Sequence, residues 1–218
     1  MTNKHSILSE MNKSDFLKNI QAATHTTIGT STTELPEWNA GLIQSTQQPN
    51  SCDTFTIWNT FAQRFKAVNG ETVENLHTLV TLLNKADATR GYLAPELESA
   101  VGEILTNASI QFETQFSDQQ VDNYAFGITR AAGIIAETGT LILKESTTSS
   151  RLAALAPWIH IAIIDADTKQ YATLVDAITD PGEDPYVIFV TGPSKTADVE
   201  GILIEGVHGP GRQICCKT

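Results

Sequence analysis

A carboxylate, two hydroxyls and a glycine follow one another in Glu137-Thr138-Gly139-Thr140, between two apolar runs that are typical of strands. Gly139 can adopt the positive φ that a tight hairpin requires, so one interpretation is a simple turn. The other is a ligand site, because α/β sheets bind small molecules at strand ends. Glu137 would then be a base, a nucleophile or a hydrogen-bond acceptor. Its neighbours Thr138, Gly139 and Thr140 would contact the ligand.

A second polar stretch, Thr-Gly-Pro-Ser-Lys-Thr, begins at Thr191 and follows another apolar strand. The sequence predicts that a helix starts there, capped by the hydroxyl of Ser194 or Thr196. The free N–H groups and positive dipole end of a helix suit an anion, and Lys195 would add a charge beside it. We therefore predict an anion site that also includes Gly192. The alternative is an ordinary capped helix without a ligand.

Three glycines and a proline surround His208 in the stretch Gly-Val-His-Gly-Pro-Gly and predict an irregular turn. His208 can act there as an acid–base group or as a metal ligand. A histidine in such a turn can also simply bond the neighbouring backbone. The five histidines of the chain do not fall at paired ligand spacing, so we expect no metal site.

The elements that must position these motifs follow from hydrophobic periodicity. We predict helices over residues 55–68, 73–84, 95–105, 150–156, 169–178 and 195–205. We predict strands over residues 91–94, 124–129, 133–136, 140–143, 158–165 and 186–191, and a strand at the C-terminal cysteines. Gly70 stands where a C-cap glycine is expected. Short buried strands that alternate with helices predict an α/β fold with a mostly parallel sheet and flanking helices.

Composition divides the chain into two parts. Residues 1–52 are rich in Thr, Ser, Gln and Asn and predict a polar arm or linker, with one possible helix from Lys13 to Ala23. Residues 53–218 predict a single α/β domain. A chain of 218 residues is long enough for one domain with such an appendage.

Charge and cysteine content exclude several classes of protein. The net charge of −11 would repel a phosphate backbone, so we expect no nucleic-acid partner. The longest apolar stretch, residues 152–164, is too short for a membrane span, and no secretory signal is visible, so we expect a cytoplasmic protein. Three cysteines favour neither a disulfide framework nor a self-contained iron–sulfur cluster, which normally takes four cysteine ligands.

Taken together, the motifs resemble the LUD-domain family from about residue 55 to residue 216. The resemblance rests on stretches in the family's order: Gly127-Ile-Thr, Ile135-Ala-Glu-Thr-Gly-Thr-Leu141, Thr191-Gly-Pro-Ser-Lys-Thr-Ala-Asp-Val-Glu200 and Gly206-Val-His-Gly-Pro-Gly211. It implies a Rossmann-like fold related to the NagB/RpiA/CoA-transferase proteins. It also implies work beside two iron–sulfur proteins that oxidise L-lactate to pyruvate, with the clusters in the partner chains and no cofactor in this one. Residues 1–50 show no family pattern.

Three functions remain open on the sequence. The chain is a subunit of a lactate-oxidising iron–sulfur complex, in which it binds a small anion or acyl group or organises its partners. Alternatively, it is a stand-alone enzyme that acts on a phosphorylated or CoA-linked small molecule, with Glu137 as nucleophile or base. The third hypothesis is a non-catalytic interaction module whose glycines only shape turns.

Overall fold

The computed structural model describes residues 15, 18, 54–148, 150–180, 182, 184–197 and 203–218. The chain divides into two compact units, residues 1–46 and 47–218. The helix predicted from Lys13 to Ala23 lies mostly outside the described residues, although Asp15 and Lys18 are helical. The predicted domain boundary at residue 52 stays a prediction.

Strands and short helices alternate along the second unit. The helices are α1 (Thr54–Ala67), α2 (Leu76–Lys85), α3 (Glu103–Asn107), α4 (Glu145–Thr148), α5 (Arg151–Leu155) and α6 (Leu174–Thr179). Two 3-10 turns (Pro95–Leu97 and Asp118–Asn123) and a π-helical segment (Glu98–Gly102) complete the helical part. The strands are β1 (Glu71–Val73), β2 (Arg90–Leu93), β3 (Gln111–Glu113), β4 (Phe126–Arg130), β5 (Gly133–Ile135), β6 (Thr140–Lys144), β7 (Ile159–Ile164), β8 (Lys169–Tyr171), β9 (Val187–Val190), β10 (Lys195–Ala197), β11 (Leu203–Glu205) and β12 (Arg212–Lys217).

The larger sheet has six strands in the order β1-β12-β7-β4-β2-β3, and every pair in it is parallel. Its middle strands β4 and β7 are almost continuously apolar and buried, which is typical of parallel strands covered on both faces. At the start of the two outer strands on one side, the guanidinium of Arg212 donates to both carboxylate oxygens of Glu71, each over 2.8 Å. The predicted α/β fold with a mostly parallel sheet is confirmed.

A smaller sheet has four strands in the order β8-β5-β6-β9, and the hairpin β5–β6 forms its centre. It packs with α1 against one face of the large sheet, and together they form a core around Trp58, Phe61 and Phe65. Helices α2 and α3 pack on the other face, where Leu79 and Leu105 belong to a separate core cluster. The large sheet is therefore covered by helix on one side and by helix and sheet on the other.

The helix predicted over residues 195–205 is wrong, because residues 195–197 and 203–205 form the antiparallel strand pair β10 and β11. The conformation at the start of β10 is set by backbone pairing with a distant turn. The N–H of Ser194 donates to the carbonyl of Pro210, and the N–H of Gly206 donates to the carbonyl of Ser194, both over 2.9 Å. These bonds hold the chain extended at the point where a helix would have to begin.

The helix predicted over residues 95–105 is α-helical only from Glu103 onward, because a 3-10 turn and a π-helical segment precede that residue. Two further helix predictions are also correct only in part. Residues 169–171 form β8, and α6 begins after Thr173, whose side chain forms a capping box with Asp176. Residues 71–73 form β1, and α2 begins after Asn75, whose side chain accepts from the N–H of Thr78. In both cases a strand of three residues precedes the cap.

The end of α1 also differs from the prediction. Asn69, with φ 69°, adopts the left-handed conformation that was expected at Gly70. A Cβ on Gly70 would lie 2.6 Å from the ring of Phe65. Glycine is therefore required at this position by the close approach of an aromatic ring.

Candidate functional site

The turn of the β5–β6 hairpin lies directly against helix α1. Gly139 has φ +64°, as predicted. A Cβ at this position would lie 2.3 Å from the backbone nitrogen of Phe65, so the turn can approach the helix only through a glycine. The simple-turn interpretation is therefore correct in geometry, and the turn also fixes the small sheet to α1.

A row of hydroxyls connects this turn to the second motif. The Oγ1 atoms of Thr138 and Thr140 lie 2.6 Å apart, and those of Thr140 and Thr191 lie 2.7 Å apart. Thr140 is buried, and its hydroxyl is satisfied by the hydroxyls of Thr138, which is partly exposed, and Thr191, which is exposed. The hydroxyls predicted to hold a ligand therefore bond to one another in this structure.

The second motif closes the C-terminal end of α1. Gly192 has φ +78°, and a Cβ on it would lie 2.4 Å from the carbonyl oxygen of Val68. The ammonium of Lys195 donates to the same carbonyl over 3.0 Å and lies 3.9 Å from a carboxylate oxygen of Glu205. A cation at a helix C-terminus satisfies a free carbonyl and complements the helix dipole.

The predicted anion site thus loses the helix start on which it was based. Residue 195 begins a strand, and its charge is directed to a helix C-terminus. Anion binding at this motif stays a prediction without that support; the residues concerned are Gly192, Ser194, Lys195 and Thr196.

The third motif wraps around an exposed indole. Cβ atoms on Gly206 and Gly211 would each lie 2.3 Å from the ring of Trp158, which is 54% exposed. His208 lies exposed in the turn between these glycines. Since Ser194 bonds the backbone of Pro210 and Gly206, the second and third motifs are in contact. We refer to residues 137–140, 191–195 and 206–211 as the motif cluster.

The motif cluster borders the amino ends of the large sheet's strands. The last turn of α1, which two of the motifs contact, leads directly into β1, and the third motif leads directly into β12. Open α/β sheets usually bind ligands at the carboxyl ends of their strands. These motifs therefore do not lie at the carboxyl ends, where the ligand crevice was expected.

Glu137 serves as a hydrogen-bond acceptor in the structure. Its Oε2 atom accepts from the backbone N–H of Leu174 over 3.0 Å, at the first residue of α6. A carboxylate near a helix N-terminus is stabilising, so this contact fits one of the three roles that the sequence left open. Catalysis by Glu137 or His208 stays a prediction.

A buried polar row across three neighbouring strands was not anticipated. Nδ1 of His160 accepts from the amide nitrogen of Gln213 over 2.6 Å. Its Nε2 then donates to the hydroxyl of Thr129 over 2.9 Å. Burial lowers the pKa of His160 to about 4, although the bond from Gln213 opposes that shift, so the imidazole is neutral at pH 7. The available signal was an uncharged polar side chain or imidazole inside each of three strands whose other inner residues are apolar.

Two features are absent from the described residues. These residues contain no group of three or more His, Cys, Asp or Glu side chains arranged to hold a metal ion. None of their helices has the length and apolar character that a membrane crossing needs.

The family of the chain follows from comparison with known sequences. The family model described as "LUD domain" matches residues 15–215. The chain belongs to the LUD domain family. The match confirms the resemblance, and it begins upstream of residue 55, so the expectation that residues 1–50 carry no family pattern is wrong for the segment from residue 15 onward.

Relatives of this LUD-domain chain include proteins named Lactate utilization protein C. The one from Shouchella clausii is 35% identical over 123 residues, which cover 52% of this chain and 54% of the relative. The one from Oceanobacillus iheyensis is 38% identical over 114 residues, which cover 48% and 46%, respectively. The matched region therefore spans about half the length of these curated relatives.

A solved structure shares the fold. The crystal structure of a DUF162 family protein from Deinococcus radiodurans superposes with a TM-score of 0.52 at 20% identity. The superposition covers 77% of this chain and 99% of the other. At this identity the similarity concerns the fold alone.

Proposed function

We propose that this chain is one component of a system that oxidises L-lactate to pyruvate, and that iron–sulfur subunits are its partners. The observation that carries the proposal is the match to relatives named Lactate utilization protein C at 35% and 38% identity, within a chain that belongs to the LUD domain family. In such a system the chain binds a small anion or organises the partners that carry the electrons.

The C-terminal cysteines support a location of the clusters in other chains. Cys215 and Cys216 are buried in β12, on opposite faces of the large sheet. Burial raises the pKa of Cys216 to about 12 and the pKa of Cys215 well above its ordinary value. Iron–sulfur clusters are held by thiolates, so protonated thiols inside a sheet are poor ligands.

An apolar surface beside the motif cluster supports docking of a partner. Leu152 and Leu155 on α5 are 44% and 38% exposed, Trp158 is 54% exposed and Val207 is 50% exposed. The third motif lies beside this surface, because Gly206 and Gly211 contact the Trp158 ring and a Cβ on Gly209 would lie 3.7 Å from the carbonyl oxygen of Leu155. We call these four side chains the Trp158 surface. Exposed apolar groups that gather in one place mark interaction sites more often than isolated ones do.

Deletion of this chain in its native cell tests the proposed function. We expect growth on lactate to be abolished and growth on pyruvate to be unchanged, because pyruvate enters metabolism after the oxidation step. Affinity isolation of the chain with mass spectrometry is expected to retain cysteine-rich iron–sulfur proteins. Normal growth of the deletion strain on lactate would contradict the proposal.

In a Trp158→Ser variant we expect the amount of co-isolated partner to fall at least tenfold. A tryptophan buried at the centre of an interface commonly contributes about 2 kcal/mol or more to binding, which corresponds to about a thirtyfold change in affinity. Ile178→Ser is the matched control, since Ile178 is 55% exposed on α6 and lies outside the Trp158 surface. Both variants are compared with the unmodified chain by quantitative mass spectrometry, after their thermal unfolding has been shown to be similar. Equal losses for the two variants would exclude the Trp158 surface as the docking site.

A further inference from the structure

A cavity of about 270 Å³ opens at the carboxyl ends of β7 and β12. It lies between the large sheet, the first turns of α1 and the strands β5 and β8. Its principal walls are Trp58, Ile134, Ile164, Asp165, Gln170 and Lys217. The carboxyl ends of the strands are where α/β folds usually bind ligands. They are opposite to the amino ends, which the motif cluster borders.

The size and walls of the cavity define the body of a ligand. Ligands of drug size occupy cavities of about 300–1,000 Å³, so this volume fits a smaller metabolite. Ile134 and Ile164 are almost completely buried, and the Trp58 ring is 9% exposed. These side chains form an apolar floor for a short hydrocarbon segment.

Lys217 supplies a positive charge at this cavity. Its ammonium lies 5.3 Å from the centre of the Trp58 ring, and none of the described carboxylates forms an ion pair with it. The nearby carboxylate of Asp165 is neutralised by Arg130, whose guanidinium lies 2.8 Å away. A cation that forms no ion pair with the described carboxylates, beside a neutralised acid, attracts an anion even in a chain whose net charge is −11.

Gln170 supplies an acceptor without a donor. Its Oε1 atom is buried and has no hydrogen-bond partner among the described residues. A buried acceptor in this condition is destabilising unless a ligand or water donates to it. The complementary ligand group is therefore a hydroxyl or another donor.

We propose that this cavity binds a small hydroxycarboxylate, whose carboxylate contacts Lys217, whose hydroxyl donates to Gln170 and whose hydrocarbon part packs on Trp58. The carboxylate, the hydroxyl and the hydrocarbon part of this ligand are each inferred from the side chains that line the cavity. The proposed function supplies only the choice of L-lactate as the probe.

Calorimetric titration of the full chain with L-lactate and with propionate tests the inference. Propionate has the same carbon skeleton and the same carboxylate but lacks the hydroxyl. We expect saturable binding of L-lactate in the millimolar range or tighter, and weaker binding of propionate by about fivefold, the value of one hydrogen bond. Absence of saturable L-lactate binding, or equal affinities for the two acids, would overturn the proposal.

Two variants assign the binding to this cavity. Lys217→Gln is expected to lower the affinity for L-lactate by about tenfold or more, because a charge-assisted bond to the carboxylate is lost. Lys66→Gln is the matched control, since Lys66 is an exposed lysine at the opposite end of α1, and we expect no change. Equal effects of these two substitutions would place the binding elsewhere.

Gln170→Met is expected to remove the preference for L-lactate while leaving propionate binding within about twofold. It removes an acceptor that has no partner in the described chain, so the unliganded variant should unfold at the same or a higher denaturant concentration. A retained preference for L-lactate would contradict the role of Gln170.

The binding result and the growth result are independent. A deletion strain that cannot grow on lactate, together with a chain that does not bind it, would leave the proposed function intact and refute the cavity proposal. Binding that depends on Lys217 in a chain whose deletion leaves growth on lactate normal would give the reverse outcome.

Discussion

Replacing Gly139 by alanine is expected to lower the free energy of unfolding by about 2–5 kcal/mol. An L-residue in the left-handed conformation at φ +64° is less stable by about 1–2 kcal/mol. The added Cβ would also lie 2.3 Å from the backbone nitrogen of Phe65, and such overpacking destabilises by about another 1–3 kcal/mol. Urea unfolding followed by circular dichroism measures the change.

Gly182→Ala separates these two effects. Gly182 has φ +70°, and its nearest contact, at 3.2 Å, is the flexible end of the Lys144 side chain. We expect this variant to lose only the conformational part, about 1–2 kcal/mol. A Gly139→Ala variant that is no less stable than Gly182→Ala would show that the hairpin turn does not pack closely against α1.

Acidification from pH 6.5 to pH 4 is expected to destabilise the protein through His160. Its pKa is lowered from 6.5 to about 4 in the folded chain, so in this range the unfolded chain binds the extra proton. The contribution of His160 to the free energy of unfolding is therefore fully present above pH 6.5 and is lost as the pH falls toward 4. The loss amounts to about 3 kcal/mol, since each pKa unit corresponds to about 1.4 kcal/mol.

The pH effect is isolated by comparison with variants. Between pH 7 and pH 4.5, the wild-type chain should lose about 2 kcal/mol more unfolding free energy than His160→Gln, because carboxylates titrate in both proteins. His77→Gln, at an exposed position of α2, should behave as the wild type. The imidazole titration of His160 by NMR gives a direct check on the folded protein, and a midpoint near 6.5 would refute the prediction.

The sequence was sufficient for the central strands and insufficient for the short ones. Strands β4 and β7 carry continuous apolar runs because both of their faces are buried, and such runs are visible in one dimension. Strands β1, β3, β8, β10 and β11 have only three residues each and were missed, because three residues are too few for a periodic pattern; β5 is equally short but was predicted from its unbroken apolar run. The extended backbone at Ser194, just before β10, depends on bonds to Gly206 and Pro210, which no local window contains.

The candidate sites follow the same division. Glycine, proline and histidine in short runs made the motif cluster visible, and the positive φ of Gly139 could be predicted from its neighbours. Its place at the amino ends of β1 and β12 depends on strand order, which the sequence does not state. The cavity could not be predicted at all, because Trp58, Gln170 and Lys217 come from three separate elements and share no local motif.

The position of β12 has a consequence for biosynthesis. This strand, residues 212–217, lies between β1 and β7, and β1 pairs with no other strand among the described residues. During synthesis on the ribosome, β1 therefore lacks its paired strand, and one edge of β7 remains unpaired. Both wait until nearly 140 further residues have followed β1. Parallel sheets closed by such distant contacts fold slowly, and exposed strand edges invite aggregation. We therefore expect the nascent chain to be most prone to aggregation in the interval before β12 emerges.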